Sequence, residues 1–168
     1  MPAQASTLFQ SSYRDYRLAQ RQILFRHNPA HATELLLEAD THFEAALLAQ
    51  QPEFRSPTYV LRANLCASLA GLDPDNRAQH MRDAAYYYEQ SITARELAKV
   101  KQVSLAATQE AEMGLQYEEW SLRSALAQIY VELGEKPRAL PHAQAALLGA
   151  PDAERARLEQ LVAALKSN

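Results

Sequence analysis

Prolines placed directly behind short polar residues cut this chain into helices. Asn28-Pro29, Ser56-Pro57 and Asp73-Pro74 each set an N-cap residue before a proline at the first helical position. The missing N–H costs nothing there, and the fixed φ already suits a helix. Composition points the same way, since Ala, Leu, Gln, Glu and Arg dominate and the chain holds four glycines and no Asn-Gly or Asp-Gly pair. Helix is favoured over sheet throughout.

The punctuation predicts about seven helices. The first spans Thr7 to His27, with Leu8, Phe9, Tyr13, Tyr16, Ile23 and Leu24 as its apolar surface. The second begins at Asn28-Pro29 and runs to about Gln50, ended by Pro52. The third runs from Ser56-Pro57 to a left-handed stop at Gly71, and the fourth starts at Asp73-Pro74. From Asp75 to Leu133 there is no proline and only Gly114, so a break is expected near Lys99 to Ser104, where Val100, Val103 and Ser104 lower helix propensity. A long helix then leads into Gly134, Glu135-Lys136-Pro137 opens a helix ending near Leu148, and Pro151-Asp152 opens the last, through Leu165. Short connectors favour antiparallel neighbours. A chain of 168 residues fits one domain, 1–168, that buries roughly 70% of its unfolded surface.

Several functions lose support at this point. A net charge of −3 disfavours nucleic-acid binding, which needs clustered Lys and Arg to neutralise phosphates. Cys66 is the lone cysteine, so no intramolecular disulfide forms, and its apolar surroundings suit a small buried hydrophobe. No apolar run approaches the ~20 residues of a membrane span. Met1-Pro2-Ala3-Gln4 lacks a basic segment before an apolar core, which leaves a cytoplasmic location as the expectation. Neither a G-x-S-x-G, H-E-x-x-H or C-x-x-C motif nor a glycine-rich phosphate loop occurs, so no catalysis and no cofactor are expected. Glu118-Glu119 and Glu110/Glu112 read as solvated surface. His27 and His31 flank Pro29 rather than share a helical face, and His42, His80 and His142 have no Cys or second His at ligand spacing. No metal site is expected.

One stretch carries more than periodicity. Leu126-Ala127, Tyr130, Gly134, Ala139, Ala146 and Pro151 fall at offsets that resemble the tetratricopeptide (TPR) helix–turn–helix repeat of about 34 residues. The clearest unit covers 120–153. Arg123 and Ala143 stand where that pattern has aromatic residues, with Trp120 one turn earlier. Ala39, Phe43 and Ala46 give a partial unit over 20–53, and Ala84 with Tyr88 a weaker third. The helix over 152–166, with Leu158, Leu161, Val162 and Leu165 as its apolar stripe, reads as the cap of an array. The alternative is an antiparallel bundle without repeats.

The resemblance implies stacked helix pairs whose first helices line a concave, peptide-binding groove. Carried onto this chain, it makes Ser124, Gln128 and Glu132 groove-facing candidates, with Arg62 and Asn64 in the third helix. Two further candidates come from the residues themselves. Tyr86-Tyr87-Tyr88 sweeps about 200° of a helix, so Tyr88 enters the core while Tyr86 or Tyr87 lines a groove or meets another subunit. Arg14, Arg17 and Arg21 form a stripe that either holds an acidic peptide or pairs with Glu34, Glu38 and Glu44. The expected role is a non-catalytic protein-interaction module or scaffold with a protein or peptide partner. A homo-oligomeric bundle and an enzyme-accessory or regulatory domain with a small-ligand pocket are the alternatives.

Overall fold

The computed structural model describes residues 2–26, 28–103 and 118–167, and among them the chain is all-α, with seven α-helices. These are α1 (Pro2–Arg21), α2 (Pro29–Ala49), α3 (Ser56–Leu72), α4 (Arg77–Val100), α5 (Glu119–Glu132), α6 (Lys136–Gly149) and α7 (Asp152–Lys166). The chain divides into two compact units, Met1–Leu115 and Gln116–Asn168. In the first, α1 packs on α2, α2 on α3 and α3 on α4; in the second, α5 packs on α6 and α6 on α7.

Close approach of these helices rests on small residues. Ser12 and Ala19 in α1, Ala32, Ala39 and Ala46 in α2, and Ser56, Ala63 and Ala70 in α3 recur at seven-residue intervals, all buried. Ala84, Ser91 and Ala98 continue the pattern in α4, and Ala139 and Ala146 in α6. Seven residues is nearly two helical turns, so each set forms one line along its helix. Across the α3–α4 seam the hydroxyls of Ser56 and Ser91 meet at 2.8 Å. Since Ser56 opens α3 and Ser91 lies late in α4, the pair is antiparallel. Large residues fill the spaces between the lines: Phe43 is fully buried and meets Phe9 edge-on at 6.3 Å.

Helix ends largely follow the expected positions, with instructive exceptions. Asn28 caps α2, its side chain accepting from the backbone N–H of His31. Ser56 does not cap α3; it is the first helical residue, and its hydroxyl turns to Ser91 instead. Gly71 is no left-handed stop either. The helix runs one residue further to Leu72 and closes with the Asp73 N–H on the Leu69 carbonyl. Asp73 caps as expected, but its carboxylate accepts from Asn76 over a 3-10 turn, Pro74–Asn76, that precedes α4. Leu24 stands exposed because α1 passes into a π-helical turn, Gln22–Arg26, which shifts the phase of the apolar stripe.

The expected break falls where α4 ends at Val100. Gln102 takes φ +54°, donating to the Lys99 carbonyl, while Val103 donates to that of Ala98. The same pair of bonds closes α5: Gly134, at φ +75°, donates to Val131 and Glu135 to Tyr130. Both are Schellman caps. His27, Ser104, Glu110, Glu112 and Gly114, with the expected start of the long helix, lie outside the described residues.

In the second unit the packing residues of the clear repeat are interior, whereas its turn residues Gly134 and Pro151 are exposed. Leu126, Ala127, Tyr130, Ala139, Ala143 and Ala146 are buried. Trp120 packs on Ala146, Ala150 and Leu158, and a Cβ on Gly149 would come within 3.3 Å of its own Cβ. Leu158, Val162 and Leu165 turn inward from α7.

Two glycine substitutions separate these conformations. A Cβ on either Gly134 or Gly71 meets nothing within 4 Å, so only backbone conformation matters. Gly134→Ala is expected to destabilise by about 1 kcal/mol, whereas Gly71→Ala, inside a helix, is expected to stabilise by about 0.5–1 kcal/mol. Denaturant melts of the two variants check the opposite signs.

Candidate functional site

The three tyrosines at 86–88 divide as the helix geometry requires, and a groove forms around two of them. Tyr88 is buried, its hydroxyl donating to Asn64 Oδ1. Tyr87 is half-buried and stacks on Tyr59 of α3, centroids 6.3 Å apart. Tyr86 meets Tyr87 edge-on at 5.2 Å and remains 55% exposed. Glu44, Leu47 and Leu48 of α2, Arg55 just before α3, and Tyr59 and Arg62 of α3 complete an open groove of about 280 Å³ with Tyr86 and Tyr87.

Arg62 organises its floor. Nε and Nη2 donate to the two carboxylate oxygens of Asp40 at 2.6 and 3.0 Å, a bidentate pair. Its guanidinium carbon lies 4.5 Å from the Tyr87 ring centroid, within cation–π range, and Glu44 approaches at 3.9 Å. Burial alone would lower the guanidinium pKa, but the bond and charge of Asp40 outweigh it and hold it above its ordinary value. Burial also pushes the Tyr87 hydroxyl up to about 12, against the lowering pull of Arg62. Arg55 is held as well, its Nε donating to the Gln50 carbonyl at 3.0 Å. Both arginines are therefore held in place by bonds within the chain. Leu48, 81% exposed, and the exposed Tyr86 supply its accessible apolar surface.

Of the residues expected from sequence, Arg62, Tyr86 and Tyr87 come together here. Asn64 points instead to Tyr88. Arg14, Arg17 and Arg21 stand exposed on α1 and do not line the groove. Arg14 pairs with its neighbour Asp15 at 3.1 Å, while Glu34 meets His31 at 3.3 Å and Glu44 approaches Arg62. In the second unit Ser124 is buried and accepts from Arg157 at 3.0 Å, so its hydroxyl is used internally. Gln128 and Glu132 are exposed on α5.

Sequence reading overlooked Leu48, Arg55 and Tyr59. The geometric reasoning applied to the tyrosines would have reached Leu48, because Leu47 and Leu48 are adjacent helical positions that point about 100° apart. It also overlooked a metal-capable group. Glu38 and His42 lie four apart on α2, and Asp15 of α1 joins them, one ligand atom of each lying within 4.8 Å of the others. A search for His–His and His–Cys spacing does not register that combination.

Comparison with protein-family models, curated proteins and solved structures returns no match.

Cys66 lies close to Arg62 and Asp40 but is unsuited to act as a nucleophile. Burial raises its thiol to about 12, with Asp40 and Asp83 adding to the rise, and the thiolate is the reactive form. A disulfide reagent such as DTNB is expected to label Cys66 only after denaturation, with the native rate at least about a hundredfold below that of a free thiol. Stopped-flow absorbance with and without denaturant checks this.

Proposed function

We propose that this chain is a non-catalytic, TPR-like interaction module that takes a segment of a partner protein in the groove between α2, α3 and α4. The observation that carries this reading is the exposed Tyr86 and Leu48 beside the Arg62–Tyr87 pair. Tyrosine and arginine recur as binding hot spots because they combine large contact area with directional polar groups. Here the arginine is already oriented by Asp40, so less ordering accompanies binding. The groove, at about 280 Å³, is at the small end for a pocket that encloses a whole ligand, ~300–1,000 Å³. A single bulky apolar side chain suits it better. Glu44, whose side chain is 63% exposed, favours a positive charge next to that anchor.

Support for a TPR-like architecture lies in the repeat positions and the antiparallel neighbouring pairs. Among the described residues no helix is long and apolar enough to cross a membrane, and a cytoplasmic setting is part of the proposal. Leu37 and Leu48 are exposed on one side of α2, and Leu48 lines the groove with the exposed Tyr86, which favours self-association as a second reading.

Peptides selected from a random display library against the full chain test the first reading. Tyr86→Ala and Leu48→Ala are each expected to weaken the selected peptides at least about tenfold, or 1.4 kcal/mol, while Gln128→Ala leaves them unchanged. Fluorescence anisotropy measures the affinities, and peptides indifferent to both groove variants would sink the proposal. Light scattering over a range of concentrations tests the second reading: a mass that rises with concentration and falls in Leu48→Glu makes a second copy the occupant.

A further inference from the structure

A buried carboxylate on α1 faces a histidine on α2 with neither atom satisfied. Asp15 is 3% exposed. Its Oδ1 is engaged by Arg14, from both Nε and Nη2 at 3.1 Å. Its Oδ2 is buried with no hydrogen-bond partner, and so is His42 Nδ1. The two atoms stand 3.4 Å apart. Leaving a buried acceptor unpaired costs free energy, and each such case calls for an explanation.

We propose that Asp15, Glu38 and His42 form a binding site for a divalent transition-metal ion, of which Zn²⁺ is the representative, joining α1 to α2. Glu38 and His42 are four apart, so they share one face of α2, and Asp15 reaches that face from α1. Ligands about 2.1 Å from a tetrahedral ion lie about 3.4 Å from each other, which is the separation of Asp15 Oδ2 and His42 Nδ1. Glu38 completes the set within 4.8 Å, on an exposed side chain free to close that distance.

One imidazole with two carboxylates suits Zn²⁺ and its first-row neighbours better than the all-oxygen shells of Ca²⁺ or Mg²⁺. Three protein ligands leave a fourth position for water, and the partial exposure of His42, 33% at its side chain, opens the approach. Arg14 holds the far oxygen of Asp15 and so directs Oδ2 at the ion, a positioning role; its positive charge also limits affinity. A direct ion pair between Asp15 and a protonated His42 would use the same two atoms. It would have no need of Glu38, and that difference makes the proposal testable.

The chelator-treated full chain, titrated with Zn²⁺ in a calorimeter, is expected to bind one equivalent that raises the unfolding temperature. His42→Gln and Glu38→Gln should each weaken that binding at least about tenfold and remove the thermal shift. His31→Gln and His80→Gln, whose rings face Glu34 and Asp73, should leave both unchanged. Both ligand variants alter side chains that are at least partly exposed, and far-UV circular dichroism verifies that they fold. No saturable binding at micromolar Zn²⁺ overturns the proposal. So does binding that Glu38→Gln leaves intact, or binding lost in His31→Gln or His80→Gln instead.

Discussion

Small residues at seven-residue intervals are the constraint on which the first unit depends. Alanine and serine at these positions let neighbouring helices approach closely, since the side chains at the contact set the interaxial distance. The Ser56–Ser91 contact shows how close: two hydroxyls from different helices share a hydrogen bond inside the seam. A hydroxyl buried there needs a partner, and each serine supplies the other's. That explains why Ser56 abandons the capping role its position before Pro57 suggests. A local preference worth about 1 kcal/mol gives way to a buried pair that would otherwise leave two polar groups unsatisfied.

Close packing along one line of a helix sets what its other faces must do. With Ala84, Ser91 and Ala98 committed to the α3–α4 seam, Tyr88 is carried inward, where its hydroxyl finds Asn64, and Tyr86 is carried outward. Tyr87, between them, is contacted by both Tyr59 and Arg62 of α3. The Arg62 charge is compensated within the chain by Asp40. A buried arginine with both a bidentate carboxylate and an aromatic face is thus a rigid element. The groove is therefore preorganised in its polar parts and exposed in its apolar ones, the combination that makes association cheap in lost freedom.

Helix boundaries were legible because their causes are local. Asn28-Pro29 and Gly134 act through their own backbone and the next turn, and both behave as read. Gly71 was misread because a glycine near a helix end resembles a stop whether or not its φ turns positive. Gln102 went unseen for the opposite reason: it adopts the left-handed conformation at the end of α4 without being glycine. Side-chain destinations were less legible. The tyrosine triplet announced an exposed ring through simple geometry, but Tyr59 and Arg55 reach the groove, and Asp40 reaches Arg62, from elsewhere in the chain. The fate of Ser124 depends on Arg157, 33 residues away, and no spacing rule connects them. Asp15, Glu38 and His42 are likewise brought together by the α1–α2 seam.

That seam gives α2 two tasks on different faces. Ala32, Ala39, Phe43 and Ala46 are buried in the unit's interior, Glu38 and His42 meet Asp15 of α1, and Asp40, Glu44 and Leu48 turn toward Arg62 and the groove. A helix so placed cannot shift against one neighbour without moving relative to the other, because packed interiors do not deform continuously. An ion that clamps α1 to α2 would therefore narrow the positions open to Asp40 and, through it, to Arg62. Linkage then requires the converse: a partner that prefers the same arrangement of α2 would tighten the ion. The two proposed sites need share no residue to be coupled, since they share the helix on which both are built.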